Sequence, residues 1–426
     1  MSRITIIVGP NGSGKSVQLT TLATNAPSYI PPNRHPHTSQ YALVQQAINR
    51  PFISNRALSL LRTPLVMSGR TLSEADTAAE ALLNRFSLPH LRYADMRALS
   101  GGEDQVLQVL LGVSRGANGL VVDDPFSMLD TSKKHEIRAL LSEYLSQPFH
   151  NKASTDLILA VPDDADVQFF HDLPHHDLLF IHLPGVHLDP ETATLLVRAA
   201  KCHPPARPYP ELGASKLTLT TRNIRRMLFA SFSYNFFPGH IYAITGANGS
   251  GKSLFLRTLL GHLPSSIELT SGKLTYSNTS HYGISGCISP HVIFVPQHCE
   301  TLLTMYTPSI AALINKDAYQ PDFSTYIHQL LQHGVLWDSR SLSEASAGET
   351  RFVTHLIAAL SALARDNIGW LIVDEPDAYL DPTRRQFLGR LFKEVAARGK
   401  GIIIATHRPK EYPTAVEVSL DRNTIQ

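Results

Sequence analysis

The sequence predicts an α/β protein whose two halves each contain a parallel sheet covered on both faces by helices. Hydrophobic strands alternate with helical patterns, which is typical of such sheets. A glycine-rich loop of the phosphate-binding pattern G-x-x-x-x-G-K-[ST] occurs twice, at residues 9–16 and 246–253. The motifs that follow the first loop recur in the same order after the second. We therefore predict a tandem duplication.

The second loop has the strand–loop–helix context that this motif requires, because a hydrophobic run precedes it and a helical pattern follows. Glycines let the backbone approach phosphates closely, and the N–H groups at the helix start point toward them. Lys252 is predicted to reach the β- and γ-phosphates, and Ser253 to hold Mg²⁺. The predicted nucleotide contacts are Gly246, Asn248, Gly249, Ser250, Gly251, Lys252 and Ser253.

The first loop follows the strand-like residues 4–8 and repeats the pattern at every fixed position. Because two matches occur in one chain, chance is a poor explanation for either. The predicted contacts here are Gly9, Asn11, Gly12, Ser13, Gly14, Lys15 and Ser16.

Composition excludes several classes of protein. The chain has 426 residues, 43% of them hydrophobic, which predicts two or three globular domains. A net charge of +2 gives no strong field for nucleic acid or anionic lipid. Cys202, Cys287 and Cys299 form no C-x-x-C pair, so neither a zinc site nor a disulfide framework is predicted. No apolar run approaches the roughly 20 residues of a membrane span, and we expect a cytoplasmic protein.

Further motifs follow each loop. In the first half, residues 99–103 (LSGGE) precede a helix, a strand ends at Asp123 and Asp124, and a later strand stops at Pro162. The second half has equivalent features at residues 346–349 (SAGE), at a strand ending in Asp374 and Glu375, and at a strand ending in His407; Gln297 follows another strand.

These motifs divide the chain into a first domain at residues 1–188 and a second at 215–426. Residues 189–214 include Pro204, Pro205, Pro208 and Pro210. Proline at this density predicts a semi-rigid, extended linker.

The order of these motifs resembles that of the ATP-binding cassette (ABC) ATPases over nearly the whole chain. The LSGGE signature, the Asp-Glu-Pro strand end and the terminal histidine are more specific than the phosphate loop alone. In this family two cassettes face each other head to tail, and each ATP lies between one phosphate loop and the other cassette's signature. The resemblance implies two ABC-type nucleotide-binding domains that form an intramolecular head-to-tail pair, so that one chain can act as a monomer.

One composite site would join Lys252, Ser253, Gln297, Asp374, Glu375 and His407 to Ser100, Gly101 and Gly102. By resemblance, Ser253, Asp374 and Gln297 would surround Mg²⁺, and Gln297 would also link the nucleotide to a partner. Glu375 would act as base or positioner for the attacking water, and His407 would contact the γ-phosphate. The alternative for Glu375 is an ordinary exposed acid at a strand end.

The other site would join Lys15, Ser16 and Asp123, the last two as metal ligands, to Ser346, Ala347 and Gly348. Asp124 is shorter than glutamate by one methylene, about 1.5 Å. Pro162 offers no side-chain donor, Ala347 replaces a glycine, and Asn33 is a weak counterpart of Gln297. The first half also starts at its phosphate-loop strand, so we expect it to lack the strands that bring an aromatic onto adenine. We expect this site to bind ATP and hydrolyse it slowly or not at all.

The resemblance leaves three functions open. The leading one is the ATPase of a membrane transporter, peripheral on the cytoplasmic face, with a separate integral membrane subunit docking near Gln297. Residues 99–103 and 124–130 resemble importer cassettes of the energy-coupling-factor kind. The second is a soluble ABC protein acting on nucleic acid or the ribosome, since residues 374–381 and 346–349 resemble repair-type ATPases. The third is a nucleotide-gated regulator.

Two smaller clusters have competing interpretations. His171, His175, His176, His182 and His187 could form a metal site with Asp172 and Asp177, but several lie on a strand-like run whose alternate side chains diverge. Arg222, Arg225 and Arg226 could bind phosphate or RNA, but a solvated charged turn is the simpler interpretation.

Overall fold

The chain forms two compact units, Met1–Gly185 and Val186–Gln426. The structure is a computed structural model. It describes residues 3–9, 13, 15–16, 18–19, 21, 41–44, 56–93, 99–115, 119–146, 156–170, 173, 177–183, 191–199, 209, 211–222, 227–276, 279–281, 291–297, 299 and 346–420.

The first unit contains a five-stranded parallel sheet of order β2-β3-β4-β1-β5. Its strands are β1 (Arg3–Val8), β2 (Tyr41–Val44), β3 (Gly119–Asp123), β4 (Asp156–Val161) and β5 (Asp177–His182). Its helices are α1 (Ala57–Met67), α2 (Leu72–Arg85), α3 (Gly101–Ser114), α4 (Thr131–Ser146) and the short α5 (Asp164–Val167).

Side chains alternate between two hydrophobic clusters along these strands. Ile6 and Val122 belong to one cluster, whereas their neighbours Ile7 and Val121 belong to the other. Successive side chains of a strand point to opposite faces, so the sheet is covered on both sides. The predicted α/β architecture is confirmed in this unit.

Helix α2 begins with a capping box, in which Thr71 and Glu74 make reciprocal hydrogen bonds. Its buried face is formed by Ala75, Ala79 and Leu83. Ala78 and Leu82 are only partly buried at the edge of this face.

The second unit contains two sheets. A parallel sheet has the order β11-β12-β13-β8-β14, and an antiparallel sheet has the order β10-β9-β6-β7. The parallel strands are β8 (Ile241–Thr245), β11 (Val292–Val295), β12 (Trp370–Asp374), β13 (Gly401–Ala405) and β14 (Val416–Ser419). The antiparallel strands are β6 (Leu212–Thr221), β7 (Met227–Phe236), β9 (Ile267–Tyr276) and β10 (Thr279–His281). The helices are α6 (Glu191–Ala199), α7 (Lys252–Leu259), α8 (Ala347–Ala364) and α9 (Pro382–Ala397).

The two parallel sheets have the same strand order. Their strand-pairing registers also match, so each residue of one sheet can be assigned an equivalent in the other. Ala160 pairs with Ile7 and with Asp123, and Ala405 pairs with Ile244 and with Asp374. Counting from these pairs, Asp123 is equivalent to Asp374 and Pro162 to His407. The described residues of the first unit contain no counterpart of the antiparallel sheet.

The prediction of an extended linker is wrong for residues 191–199, which form α6. This helix packs on α9 through the buried Ala193 and Val197, which are spaced one turn apart, and through an Arg390–Glu191 ion pair at 2.6 Å. Pro190 directly precedes residues 191–199, a position at which a helix start tolerates proline, and the next proline is Pro204, so nothing in 191–199 prevents a helix. The linker and the domain limits on either side of it remain predictions.

Within the part of the chain that the structure describes, no helix combines the length and the hydrophobicity needed to cross a bilayer.

Candidate nucleotide site

The predicted residues of the second unit meet at the carboxyl-terminal edge of its parallel sheet. In this sheet β13 lies between β12 and β8. The phosphate loop follows β8, Glu375 follows β12 and His407 follows β13. In parallel sheets this edge is where ligands bind, because all the following loops converge there.

The phosphate loop at residues 246–251 joins β8 to α7. Gly249 and Gly251 have φ values of 75° and 97°, in the left-handed region that favours glycine. Gly251 immediately precedes the first turn of α7, and the N–H groups of a first helical turn have no acceptor within the helix itself. The Ser250 hydroxyl is buried and has no hydrogen-bond partner among the described residues. This loop therefore has the form and the donors that a phosphate group requires.

The amino group of Lys252 lies at the phosphate loop. Its Nζ donates to the carbonyl oxygens of Gly246, at 2.9 Å, and of Ala247, at 3.3 Å. The same Nζ lies 3.1 Å from Nε2 of His407. A buried ammonium group next to phosphate-directed N–H groups favours a polyanion.

Ser253 and Asp374 form a pair suited to a divalent cation. The Ser253 hydroxyl donates to Oδ1 of Asp374 at 3.1 Å, and Oδ2 of Asp374 is buried without a hydrogen-bond partner among the described residues. Burial, followed by the charge of Glu375, raises the pKa of Asp374 to about 7. The Ser253 hydroxyl and the Asp374 carboxylate are oxygen ligands of the kind that Mg²⁺ prefers. A bound Mg²⁺ would also supply a positive charge beside the buried carboxylate of Asp374.

Glu375 is held by Gln297 and His407. Gln297 Nε2 donates to its Oε2 at 2.9 Å, and Nε2 of His407 lies 3.5 Å from its Oε1. Burial raises the pKa of Glu375, but His407, Lys252 and Gln297 together outweigh it, so the pKa lies below the usual value. With only 7% of its surface exposed, Glu375 is not the exposed acid of the alternative interpretation.

Glu375 also has an unusual backbone. Its φ is 50°, and the equivalent Asp124 of the first unit has a φ of 51°. Left-handed backbone at a non-glycine residue costs free energy and is concentrated at functional sites. Both acids therefore occupy the same strained turn after their strands.

The first unit repeats the cation frame. Lys15 Nζ donates to the Gly9 carbonyl at 2.5 Å, and the Ser16 hydroxyl donates to Oδ2 of Asp123 at 2.5 Å. Oδ1 of Asp123 and the Ser13 hydroxyl are buried without partners among the described residues, as are their equivalents in the second unit. Asn11, Gly12 and Gly14 lie outside the described residues. The expectation that Asn33 is the counterpart of Gln297 is wrong, because Gln297 comes two residues after β11 whereas Asn33 precedes the equivalent strand β2; counted from the strand registers, the corresponding position is Gln46.

The first unit differs at the second acid. Asp124 accepts a hydrogen bond from the Ser127 hydroxyl of its own turn. The residue equivalent to Ser127 in the second unit is Ala378, which has no hydroxyl group. Glu375 instead contacts Gln297 and His407. Burial, with the nearby Asp166 and Asp123, raises the pKa of Asp124 to about 6. Pro162 stands where His407 would be.

The two signature segments begin helices in the same way. Ser100 and Ser346 cap α3 and α8, each in a reciprocal capping box with the glutamate three residues later. Gly101, Gly102, Ala347 and Gly348 form the first turns of these helices. The assembly of each signature with the opposite phosphate loop stays a prediction.

The smaller clusters gain no support. Asp177 and His182 lie at opposite ends of β5, and no metal-binding group of three or more side chains occurs among the described residues. Arg222 is exposed, in agreement with a solvated turn. The other histidines of the cluster, Arg225 and Arg226 lie outside the described residues.

Sequence reasoning missed Arg351, whose guanidinium donates to the Glu375 carbonyl at 2.9 Å and to the Gln297 carbonyl. Its equivalent in α3 is Gln105, which donates to the Asp124 carbonyl at 2.6 Å. Each lies five residues after the capping serine of its helix. A polar residue at the same offset in both repeats was the available signal.

Two family models match parts of the chain. A family model described as "ABC transporter" matches residues 1–127. A second model, described as "AAA domain, putative AbiEii toxin, Type IV TA system", matches residues 305–411.

Curated relatives include ATP-binding proteins of transporters. The putative ABC transporter ATP-binding protein BL0043 of Bifidobacterium longum is 23% identical over 95% of this chain and 59% of its own length. The cytochrome c biogenesis ATP-binding export protein CcmA of Sodalis glossinidius is 30% identical over 43% of this chain and 83% of its own length. The chain thus spans less than two thirds of BL0043.

Solved structures match both units in one alignment. The chain resembles the RNase-L inhibitor, with a TM-score of 0.54 and 18% identity over 98% of this chain and 83% of that one. It also resembles a chain in a model of ribosome-bound archaeal Pelota and ABCE1, with a TM-score of 0.60 and 17% identity over 98% of this chain and 72% of that one. At this identity the likeness concerns the fold.

Two phosphate loops, two equivalent cation frames and the extent of the match to CcmA lead to one conclusion: this chain belongs to the ATP-binding cassette family of ATPases and carries two cassettes in tandem.

Proposed function

We propose that this protein binds two MgATP molecules at composite sites and hydrolyses ATP mainly at the second, as the energising subunit of a membrane transporter. The observation that carries the hydrolytic part is the group of Lys252, His407, Glu375 and Gln297, joined by contacts of 2.9–3.5 Å at one sheet edge. The cassettes are proposed to pair head to tail within the chain, so that Ser100, Gly101 and Gly102 complete this site.

Hydrolysis at this site rests on positioning and on stabilisation of charge. The loop N–H groups and Lys252 bind the phosphates, and His407 lies next to Lys252 where the γ-phosphate would be. Glu375, kept ionised by its neighbours, can accept a hydrogen bond from the attacking water and align it. Gln297 contacts Oε2 of Glu375 and His407 lies 3.5 Å from Oε1, so the two neighbours together orient the carboxylate.

Ser253 and Asp374 would hold Mg²⁺, which when bound neutralises charge on the phosphates. Replacing Ser253 by alanine is expected to raise the Mg²⁺ concentration for half-maximal hydrolysis by about tenfold or more, because one oxygen of the frame is lost. A Mg²⁺ titration of the steady-state rate measures this. Ser16→Ala is the matched control in the first unit and should move the curve little; equal shifts would contradict unequal sites.

The first site is proposed to bind ATP without efficient turnover. Its cation frame matches that of the second site, but Asp124 is shorter, is bonded to Ser127 and has a raised pKa. Pro162 also lacks the imidazole that His407 supplies. A carboxyl group that is bonded within its own turn is a poor positioner of water.

The transport role is supported by relatives rather than by the site. CcmA is named as an export protein, and the hemin import ATP-binding protein HmuV of Hahella chejuensis is 32% identical over 31% of this chain and 57% of its own length. A separate integral membrane subunit is the partner such a role requires. The second candidate is an action on the ribosome or on nucleic acid. It is supported by the likeness to a ribosome-bound protein, and at 17% identity this likeness concerns the fold.

Affinity capture from detergent-solubilised native membranes discriminates between the two roles. The full chain carrying Glu375→Gln is used with MgATP to prolong the bound state, and Lys252→Ala serves as the control that binds nucleotide poorly. Recovery of one integral membrane protein with the first variant supports transport. Recovery of ribosomes or DNA, or stimulation of ATP hydrolysis by nucleic acid, would support the second candidate instead.

A further inference from the structure

Arg351 is a fully buried arginine on α8, the helix that begins with the second signature. None of its surface is exposed, and it lies five residues after the capping Ser346. Burying a guanidinium is costly unless its N–H groups are satisfied. The contacts that satisfy it therefore indicate what this residue does.

Two of these contacts are backbone carbonyls of the hydrolytic site. Nη1 donates to the Glu375 carbonyl at 2.9 Å, and Nη2 donates to the Gln297 carbonyl. The side chains of these same two residues meet at 2.9 Å. One planar guanidinium thus joins the two loops at their backbones, and the Gln297–Glu375 hydrogen bond joins them at their side chains.

The turn that Arg351 holds is a strained one. Glu375 has a φ of 50°, and its N–H donates to the Ala405 carbonyl at 2.9 Å. The Arg351 guanidinium also lies 5.3 Å from the ring centroid of Tyr379, which itself has a φ of 62° in the same turn. Left-handed residues persist only where the surroundings over-determine them, and Arg351 supplies one such constraint.

The equivalent Gln105 of the first unit makes a different set of contacts. It donates to the Asp124 carbonyl at 2.6 Å and accepts from the Met128 N–H at 2.8 Å, so both contacts lie in the single turn after β3. Arg351 instead spans the turn after β12 and the loop after β11. In the second unit, Arg351 therefore ties the loop after β11 to the turn that carries Glu375.

We propose that Arg351 is a positioning residue for ATP hydrolysis at the second site: it fixes the backbones of Glu375 and Gln297 relative to each other and connects them to the signature helix. This rests on the proposed function for the identity of the reaction.

The test replaces Arg351 by glutamine, the residue found at this position in the first repeat. Glutamine can reach the Glu375 carbonyl, as Gln105 reaches that of Asp124, but cannot span both loops. We expect kcat to fall by about 10- to 100-fold, since a displacement of about 1 Å has this effect. The KM for ATP should change by less than about threefold, because the phosphate loop is untouched.

Lys400→Gln is the matched control. Lys400 is also buried and also donates to two backbone carbonyls, those of Ile368 at 2.6 Å and Arg365 at 3.1 Å. It precedes β13, so it lies at the opposite edge of the same sheet. Both variants should lower the Tm, but Lys400→Gln should keep the kcat of the folded protein.

The outcomes separate the positioning role from a structural one. A kcat of Arg351→Gln within threefold of the wild type, or equal losses of kcat in both variants, would overturn the proposal. If Arg351→Gln does not fold, Arg351→Lys is measured against the same two criteria, and failure of both to fold would make Arg351 a stability residue and overturn the proposal. Absence of hydrolysis by the wild-type chain would refute the proposed function instead.

Discussion

Replacing Glu375 by glutamine is expected to lower the kcat of ATP hydrolysis by at least about 10²-fold, the contribution typical of a positioned general base. Glutamine keeps the size of the side chain and its contact with Gln297, but it loses the charge that the low pKa of Glu375 maintains. ATP binding should be preserved, because Lys252 and the phosphate loop do not depend on this carboxylate. Steady-state hydrolysis and nucleotide binding, measured on the same preparation, separate the two effects.

Asp124→Asn is the control, since Asp124 is equivalent to Glu375 in the first unit. Its carboxyl group is bonded to Ser127 of its own turn, so replacing it by an amide should change the rate by less than about twofold. Equal losses of kcat from the two substitutions would mean that both sites turn over and that their geometrical difference does not matter for hydrolysis.

Replacing Lys252 by alanine is expected to reduce kcat/KM by about 10³-fold, because it removes the only ammonium group described at this loop and the contact with His407. Two functions are lost together: attraction of the β- and γ-phosphates and stabilisation of charge that develops during transfer. Titration of nucleotide binding should therefore show weaker binding as well as slower hydrolysis.

Lys15→Ala is the matched variant in the first unit, where Lys15 donates to the Gly9 carbonyl as Lys252 does to that of Gly246. It should remove one bound ATP but reduce hydrolysis by less than about tenfold, since the second site keeps its acid and its histidine. Near-normal hydrolysis by Lys252→Ala, or a larger loss in Lys15→Ala, would invert the assignment of the sites.

Much of the fold followed from local patterns. The glycine loops, the hydrophobic strands and the Asp-Glu and Asp-Asp strand ends are each contiguous in sequence, so their period and spacing identify them without tertiary information. The same holds for the helix predicted after residues 99–103, which α3 forms, and for its equivalent after residue 346, which α8 forms. The helix at residues 191–199 was missed because the nearby prolines dominated the interpretation of the whole segment.

By itself the sequence determined that this chain has two cassettes and that the second carries the fuller set of hydrolytic residues, because motif identity is a local property. Only the tertiary structure decided that Ser127 captures Asp124 and that Arg351 joins Glu375 to Gln297. The Arg351 contacts join residues that are 24 and 54 positions apart. Which polar groups satisfy each other in a buried site depends on how strands and helices pack, and no sequence period records it.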